Sequence, residues 1–131
     1  MTRGIRNNNP CNIRKGDEWK GLRAVQTDKA FCQFESMVMG LRAVFKTLKT
    51  YRDKHGVSTV SGIIERWAPA SDGNNTKAYI AAVEKRSGID RHASLGKTPV
   101  LYMKLVRAMC WVESLYVPNE DDIRSAYEMV F

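Results

Sequence analysis

The change in apolar spacing at Ser36 constrains the fold more than any other feature of this chain. After that residue, large apolar side chains recur every three or four positions, which is the period of an amphipathic helix; they are Met37, Leu41, Val44, Phe45, Leu48 and Tyr51. His55-Gly56 supplies a stop signal. The pattern predicts a helix from Ser36 to His55-Gly56, the clearest helix in the sequence.

Four shorter helices are predicted downstream, each from a start signal; the first three also carry an apolar stripe, and the last has acidic residues in its first turn. The start signals are residues whose side chains can cap a first turn, in one case followed by proline; they are Ser58 or Thr59, Thr76, Thr98 with Pro99, and Asn119. Pro69 ends the first of these helices because it lacks an amide hydrogen. Asp72-Gly73-Asn74-Asn75 is predicted to be a loop.

The first part of the chain has a different character, because Asn, Gly and Pro are frequent between residues 4 and 35. Short extended candidates at 12–14, 22–26 and 31–34 favour a small β-hairpin region. The expected fold is therefore mainly α (α+β), with this hairpin near the N-terminus. A chain of 131 residues with 44% hydrophobic content buries one core, so residues 1–131 are expected to form a single domain.

Charge and hydropathy limit the partners and the compartment. Lys and Arg number 21 against 14 Asp and Glu, so the net charge of +7 favours a polyanion such as nucleic acid, an anionic lipid surface or a bacterial wall polymer. No apolar run approaches the roughly 18 residues that cross a bilayer, and the N-terminus lacks the apolar stretch of a secretory signal. We expect synthesis in the bacterial cytoplasm, without a signal peptide and without membrane insertion.

The cysteines and histidines predict neither a metal site nor a cofactor site. Cys11, Cys32 and Cys110 are odd in number and lack zinc-site spacing, which favours reduced, partly buried thiols. A contact between Cys11 and Cys32 across the hairpin is the open alternative. His55 and His92 are far apart in sequence, and neither a phosphate-cradling glycine loop nor a Gly-flanked serine elbow is present.

Short blocks spread over most of the chain occur in a specific order. They are Arg3-Gly4-Ile5-Arg6-Asn7-Asn8-Asn9-Pro10, Asn12-Ile13, Trp19 with Gly21, Phe31 with Phe34, Gly40-Leu41-Arg42-Ala43, Ile64 with Arg66-Trp67-Ala68-Pro69, and Asn75-Thr76 with Tyr79. In this order they resemble phage and prophage lysozyme-like virion proteins and endolysins. Cys11 departs from the glycine usual after that proline. The resemblance implies a lysozyme-like helical domain that acts on the bacterial cell wall.

The end of the helix predicted to start at Thr98 extends this resemblance. Val112-Glu113-Ser114, followed by Pro118, looks like the catalytic helix end of lytic transglycosylases and flagellar-type glucosaminidases. In those proteins the Glu-Ser helix precedes the Asn-rich hairpin, whereas here it follows. A circular permutation of the lysozyme-like domain accounts for the reversed order, since domain termini often lie close together at the surface. This hypothesis requires the two ends of the chain to meet.

Glu113 is the first candidate for a catalytic acid. Glycoside cleavage needs a group that protonates the leaving oxygen, and a carboxyl among apolar neighbours at a helix C-terminus keeps its proton to higher pH. Glu35, between Phe34 and Ser36, is the main rival. Asp72 is a candidate second carboxylate, able to assist a water if it lies about 6.5–9.5 Å from the acid. The alternatives are solvent exposure for Glu113 and a position beside the Ser36 cap for Glu35.

Candidate substrate-binding residues surround these carboxylates. Amide and hydroxyl groups suit hydrogen bonding to N-acetyl and ring hydroxyl groups, and Trp rings stack on sugar faces. The set comprises Asn7, Asn8, Asn9, Asn12, Trp19, Trp67, Asn75, Thr76 and Tyr79, with Ser114 added by the Glu-Ser resemblance. The structural alternatives are turn formation by the asparagines, helix capping by Asn75 or Thr76, and core packing of Trp67 and Tyr79.

Three function classes follow. The first is a peptidoglycan-cleaving glycosidase, a muramidase or a lytic transglycosylase, that attacks the β-1,4 bond between amino sugars with Glu113 as acid. It would act at the cell wall or in the periplasm, delivered by a holin, a secretion machinery or a virion. The second is a non-catalytic structural or wall-binding protein of a phage particle. The third, a nucleic-acid-binding protein, is favoured by net charge alone.

Overall fold

A computed structural model describes residues 1–131 and shows a mainly helical chain without a sheet or barrel. The helices are α1 (Arg3–Arg6), α2 (Met37–His55), α3 (Val60–Trp67), α4 (Thr76–Ser87), α5 (Pro99–Ser114) and α6 (Glu120–Glu128), and a short 3-10 turn spans Ala70–Asp72. No helix is both long enough and apolar enough to cross a membrane.

The helices predicted after Ser36 are confirmed, although the Thr98 side chain makes no capping bond at the start of α5. The Ser36 side chain accepts a hydrogen bond from the Met39 amide, and Gly56 ends α2 in the left-handed conformation at φ 65°. Thr59 caps α3 and Asn119 caps α6 in the same way. Sequence-local chemistry therefore sets the boundaries of these three helices.

The predicted cap at Thr76 is wrong by one residue. Asn75 is the cap of α4, and its side chain accepts from the Ala78 amide. Thr76 instead begins the helix, and its hydroxyl donates to the Ala68 carbonyl at 2.6 Å. This bond ties the start of α4 to the end of α3, and it places both helices around the same loop.

The predicted β-hairpin is also wrong in detail. Residues 12–34 form only isolated antiparallel bridges, between Arg14 and Phe31 and between Leu22 and Phe34. Side-chain bonding replaces a continuous ladder: the buried Asn9 side chain accepts from the Ile13 amide and donates to the carbonyls of Ile13 and Cys32. Asparagine competes with regular backbone pairing in this way.

The core is a cluster of 22 buried residues drawn mainly from α2 to α6. α5 lies against α1, α2, α4 and α6, and its apolar face is fully buried at Leu105, Val106 and Met109. Full burial of each such side chain contributes about 1.5–3 kcal/mol relative to exposure. The helix that carries Glu113 is thus the central element of the fold.

The N-terminal segment packs against the end of α5. The Thr2 hydroxyl donates to the Ser114 carbonyl, and the buried Ser114 hydroxyl donates to the Pro10 carbonyl, both at 2.8 Å. Gly4 lies so close that an added Cβ would be 1.8 Å from Ser114 Oγ. This contact brings the Asn-rich segment next to the Glu-Ser helix end, and the permutation itself stays a prediction.

All three cysteines are free and buried. The alternative contact between Cys11 and Cys32 is not formed, because Cys11 Sγ lies 3.8 Å from Cys110 Sγ on α5. Cys32 Sγ instead faces the Arg14 carbonyl at 3.5 Å. The side chain of Cys11, at the position where the resembled proteins have glycine, fills space between the N-terminal segment and α5.

Candidate active site

Glu113 lies in a cleft of about 720 Å³ between the N-terminal segment and the helices. One wall carries Asn12 and Trp19, and the other carries Trp67 with Asp72 from the loop before α4. The packing of the N-terminal segment against the end of α5 brings these walls together, since Asn12 and Glu113 are 101 residues apart in sequence.

Three donors from three parts of the chain bind the Glu113 carboxyl. Asn12 Nδ2 donates to Oε1 at 3.3 Å, while Trp67 Nε1 and the Tyr79 hydroxyl donate to Oε2 at 3.2 and 3.1 Å. Asn12 Nδ2 also donates to the Glu113 carbonyl at 3.2 Å. These bonds fix the carboxyl in one orientation at the cleft.

Burial raises the pKa of Glu113 above its ordinary value, and this effect is larger than the opposing effect of the three donors from Asn12, Tyr79 and Trp67. Desolvation penalises the charged form of a carboxyl, whereas donors stabilise it. Burial also raises the pKa of Tyr79 well above its usual range, so its hydroxyl stays protonated and remains a donor. The site therefore combines a carboxyl that keeps its proton to higher pH with hydrogen-bond donors that stabilise the carboxylate once the proton is lost.

The helical register explains why Glu113 is partly buried. Met109 is fully buried one turn earlier on α5, and residues four apart share a helix face. Leu115 adopts the left-handed conformation at φ 52° and ends the helix directly after Ser114. Glu113 is thus held on the inner face of the last turn, and the alternative of a solvent-facing side chain is not what the structure shows.

The other two candidate carboxylates lie in different places. Asp72 is exposed and lines the cleft at the end of the 3-10 turn. Glu35 is also exposed, but it does not line the cleft, and its amide donates to the Gly21 carbonyl at 2.7 Å. Of the two, only Asp72 shares the cleft with Glu113.

The asparagines predicted to bind substrate divide into two groups. Asn12 lines the cleft, whereas Asn7 and Asn9 are buried and Asn8 is partly buried. Asn7 Nδ2 donates to Asp28, and Asn8 Nδ2 donates to the Phe34 carbonyl. Asn7, Asn8 and Asn9 hold the N-terminal segment together, and Asn12 alone faces Glu113.

Of the remaining candidates, Trp19 and Trp67 line the cleft, and Trp19 Nε1 is buried without a partner. Tyr79 reaches the site from the core through its hydroxyl. Asn75 caps α4, Thr76 bonds to Ala68, and Ser114 bonds to Pro10, so these three side chains have structural partners.

Sequence reasoning missed six further polar or aromatic side chains that line the cleft: Arg14, Asp17, Phe31, Thr47, Tyr51 and Asn74. The helical period placed Tyr51 on the buried face of α2, and that placement is partly right, because Tyr51 packs against the core while facing the cleft. The guanidinium of Arg14 lies 5.1 Å from the centre of the Phe31 ring, which holds a positive charge at the cleft wall. Nothing in the local sequence marks Arg14 or Thr47 as cleft residues.

Comparison with known proteins identifies one relative that spans nearly the whole chain. Protein P5 of Pseudoalteromonas phage PM2 is 37% identical over 134 residues, an alignment that covers 98% of this chain and 82% of the phage protein. No protein-family model matches the sequence.

Proposed function

We propose that this chain, which belongs to the family of Protein P5 of Pseudoalteromonas phage PM2, is a glycosidase that cleaves bacterial peptidoglycan. The bond attacked is the β-1,4 link between amino sugars, and Glu113 is the general acid. The observation that carries the proposal is the Glu113 carboxyl, whose pKa is raised by burial while it faces an open cleft of about 720 Å³. Partly buried acids of this kind protonate poor leaving groups near neutral pH.

The surroundings of Glu113 suit both halves of a proton transfer. Burial keeps the proton on the carboxyl before reaction, and the donors from Asn12, Trp67 and Tyr79 stabilise the carboxylate after the proton has passed to the leaving oxygen. Asn12 Oδ1 is buried without a partner. A rotation of the Asn12 amide offers this oxygen as an acceptor to the protonated carboxyl.

The cleft walls suit a sugar chain. Trp19 and Trp67 supply aromatic surface for sugar faces, and Asn74 supplies an amide that also lines the cleft. Asp72 is the proposed second carboxylate, positioned in the same cleft to orient an attacking water. Attack by water gives a muramidase, whereas attack by a hydroxyl of the sugar itself gives a lytic transglycosylase with an anhydro-sugar product.

The proposal includes a lysozyme-like fold in which the Glu-Ser helix end follows the Asn-rich segment through circular permutation. The bonds from Thr2 to Ser114 and from Ser114 to Pro10 support it, since a permutation keeps segments that are neighbours in space next to each other while changing their order in sequence. Arrival at the wall on a virion fits the phage origin of the relative, and the charge of +7 favours retention on an anionic wall.

A second candidate function is a non-catalytic structural or wall-binding protein of a phage particle. It rests on the phage origin of the relative. The test is incubation of the purified chain with isolated peptidoglycan, followed by mass spectrometry of soluble products. Release of muropeptides supports the glycosidase, and their masses separate hydrolysis from anhydro-sugar formation. Binding to sacculi without release supports the structural protein.

The raised pKa of Glu113 predicts the direction of the pH dependence. Because the protonated form is the reactive one, kcat/KM falls as pH rises through the raised pKa. The free energy of unfolding changes in the same direction. The folded state holds the Glu113 proton more tightly than the unfolded state does, so the contribution of this group to stability is largest below its pKa in the unfolded state. It falls as pH rises from the unfolded value through the folded value.

The Tyr79→Phe variant tests whether the pKa of Glu113 sets the fall of kcat/KM at high pH. The Tyr79 hydroxyl lowers the pKa of Glu113, so its removal moves the alkaline limb of the rate profile to higher pH. The measurement is kcat/KM against pH for both proteins on solubilised glycan strands. An alkaline limb that moves to lower pH in Tyr79→Phe contradicts this assignment of the limb to Glu113.

A further inference from the structure

Three cationic side chains from two helices line a second cavity, which shares no lining residue with the cleft around Glu113. The cavity measures about 250 Å³ and is bordered by Arg86 and Ser87 at the end of α4 and by Lys104 and Arg107 on α5. Residues three apart lie on one helix face, so Lys104 and Arg107 point to the same side of α5. None of these residues lines the cleft around Glu113.

Only one of the three cations that border this cavity is paired with a carboxylate. Arg107 pairs with the exposed carboxylate of Glu120, whereas Arg86 and Lys104 form no ion pair. Three like charges bordering one cavity repel each other, and an anion bound among them removes this cost.

The Arg86 guanidinium is held in place before any ligand arrives. Its central carbon lies 4.2 Å from the centre of the Trp111 ring, which is a stacking distance. This cation–π contact leaves the Arg86 guanidinium N–H groups without a hydrogen-bond partner in the chain. The planar fork of an arginine binds phosphate oxygens with two donors at once, and a lysine adds a point charge.

From this arrangement we infer that the cavity between α4 and α5 is a binding site for a phosphoryl oxyanion. Arg86 and Arg107 contribute guanidinium donors, Lys104 contributes an ammonium group, and Ser87 contributes a hydroxyl at the rim. The ligand class is a phosphate ester or free phosphate. The inference does not depend on the glycosidase proposal, because no residue of the cavity touches Glu113.

Trp111 provides a direct readout. An anion on Arg86 changes the charge next to the indole ring, so titration with inorganic phosphate at constant ionic strength changes the Trp111 fluorescence. We expect saturable binding with a Kd on the order of 1 mM. In Trp111→Phe the fluorescence response disappears, while calorimetry still detects binding.

Matched lysine variants test the site itself. Lys104→Ala weakens phosphate binding by about tenfold, the loss expected for one charge-assisted hydrogen bond. Lys85→Ala, an exposed lysine beside Arg86 that does not border the cavity, leaves the affinity unchanged. Thermal melting of each variant without phosphate shows that the fold is retained.

Dimethyl phosphate distinguishes the two sources of the ligand. Binding of this diester with an affinity similar to that of phosphate supports a site for the phosphodiesters of polymers or headgroups. Binding of inorganic phosphate alone supports a site for free phosphate or a monoester. The inference is overturned if neither anion binds saturably, or if Lys85→Ala weakens binding as much as Lys104→Ala.

Discussion

Glu113→Gln is expected to lower the rate of muropeptide release by about 10²–10⁴-fold, the contribution of a positioned general acid. Glutamine keeps the size of the side chain but has no acidic proton to give to a leaving oxygen. The donors around the carboxyl, Asn12, Trp67 and Tyr79, remain in place. The measurement is the initial rate of soluble product release from isolated peptidoglycan, quantified by mass spectrometry.

Glu35→Gln is the matched control for this loss. Glu35 is exposed and lies outside the cleft, so the same change of charge there leaves the rate close to that of the native chain. Asp72→Asn tests the second carboxylate: a large loss supports its action on water, and a native rate favours capture by the substrate itself. Release by Glu113→Gln at the native rate would remove Glu113 from the mechanism.

Gly40→Ala is expected to destabilise the folded state by about 3 kcal/mol, the range of severe steric substitutions. An added Cβ on α2 would lie 2.0 Å from the Asn8 carbonyl oxygen and 3.0 Å from Pro10 Cδ. Backbone atoms of the N-terminal segment cannot move aside as a flexible side chain does. Alanine is the better helix former by about 1 kcal/mol, so the clash must outweigh a favourable propensity.

The measurement for Gly40→Ala is thermal or denaturant unfolding, with a fall in Tm of about 10 °C for a chain of this size. Gly88→Ala serves as control, because its Cβ meets nothing within 4 Å and only the left-handed backbone at φ 72° opposes it. That strain costs about 1 kcal/mol. A Tm for Gly40→Ala equal to that of the native chain would show that the N-terminal segment does not pack on α2 as described.

The helices were predictable because each depends on signals within a few residues. Ser36 caps α2, Gly56 ends it, and Thr59 and Asn119 begin later helices with side chains that satisfy free amides. The hairpin was not predictable, since the side chain of Asn9 takes over bonds that strand pairing would have made. A sequence pattern does not show whether an asparagine bonds to its own backbone or to a neighbouring segment.

The candidate site was predictable in part. The chemistry of Glu113, Trp67 and Tyr79 was visible in the sequence, and the structure brings their polar atoms within hydrogen-bonding distance. The choice among the N-terminal asparagines was not visible, because Asn9 and Asn12 have the same donors and differ only in the direction that the folded backbone gives them. Arg14 was missed because its place at the cleft depends on the distant ring of Phe31.

The most direct test of the central claim is the titration of the Glu113 side chain by ¹³C NMR of its carboxyl carbon. If the N-terminal segment and the end of α5 enclose this acid as described, its titration midpoint lies above the model-peptide value of about 4.3 for glutamate. A Glu113 midpoint at or below the model-peptide value would contradict the account.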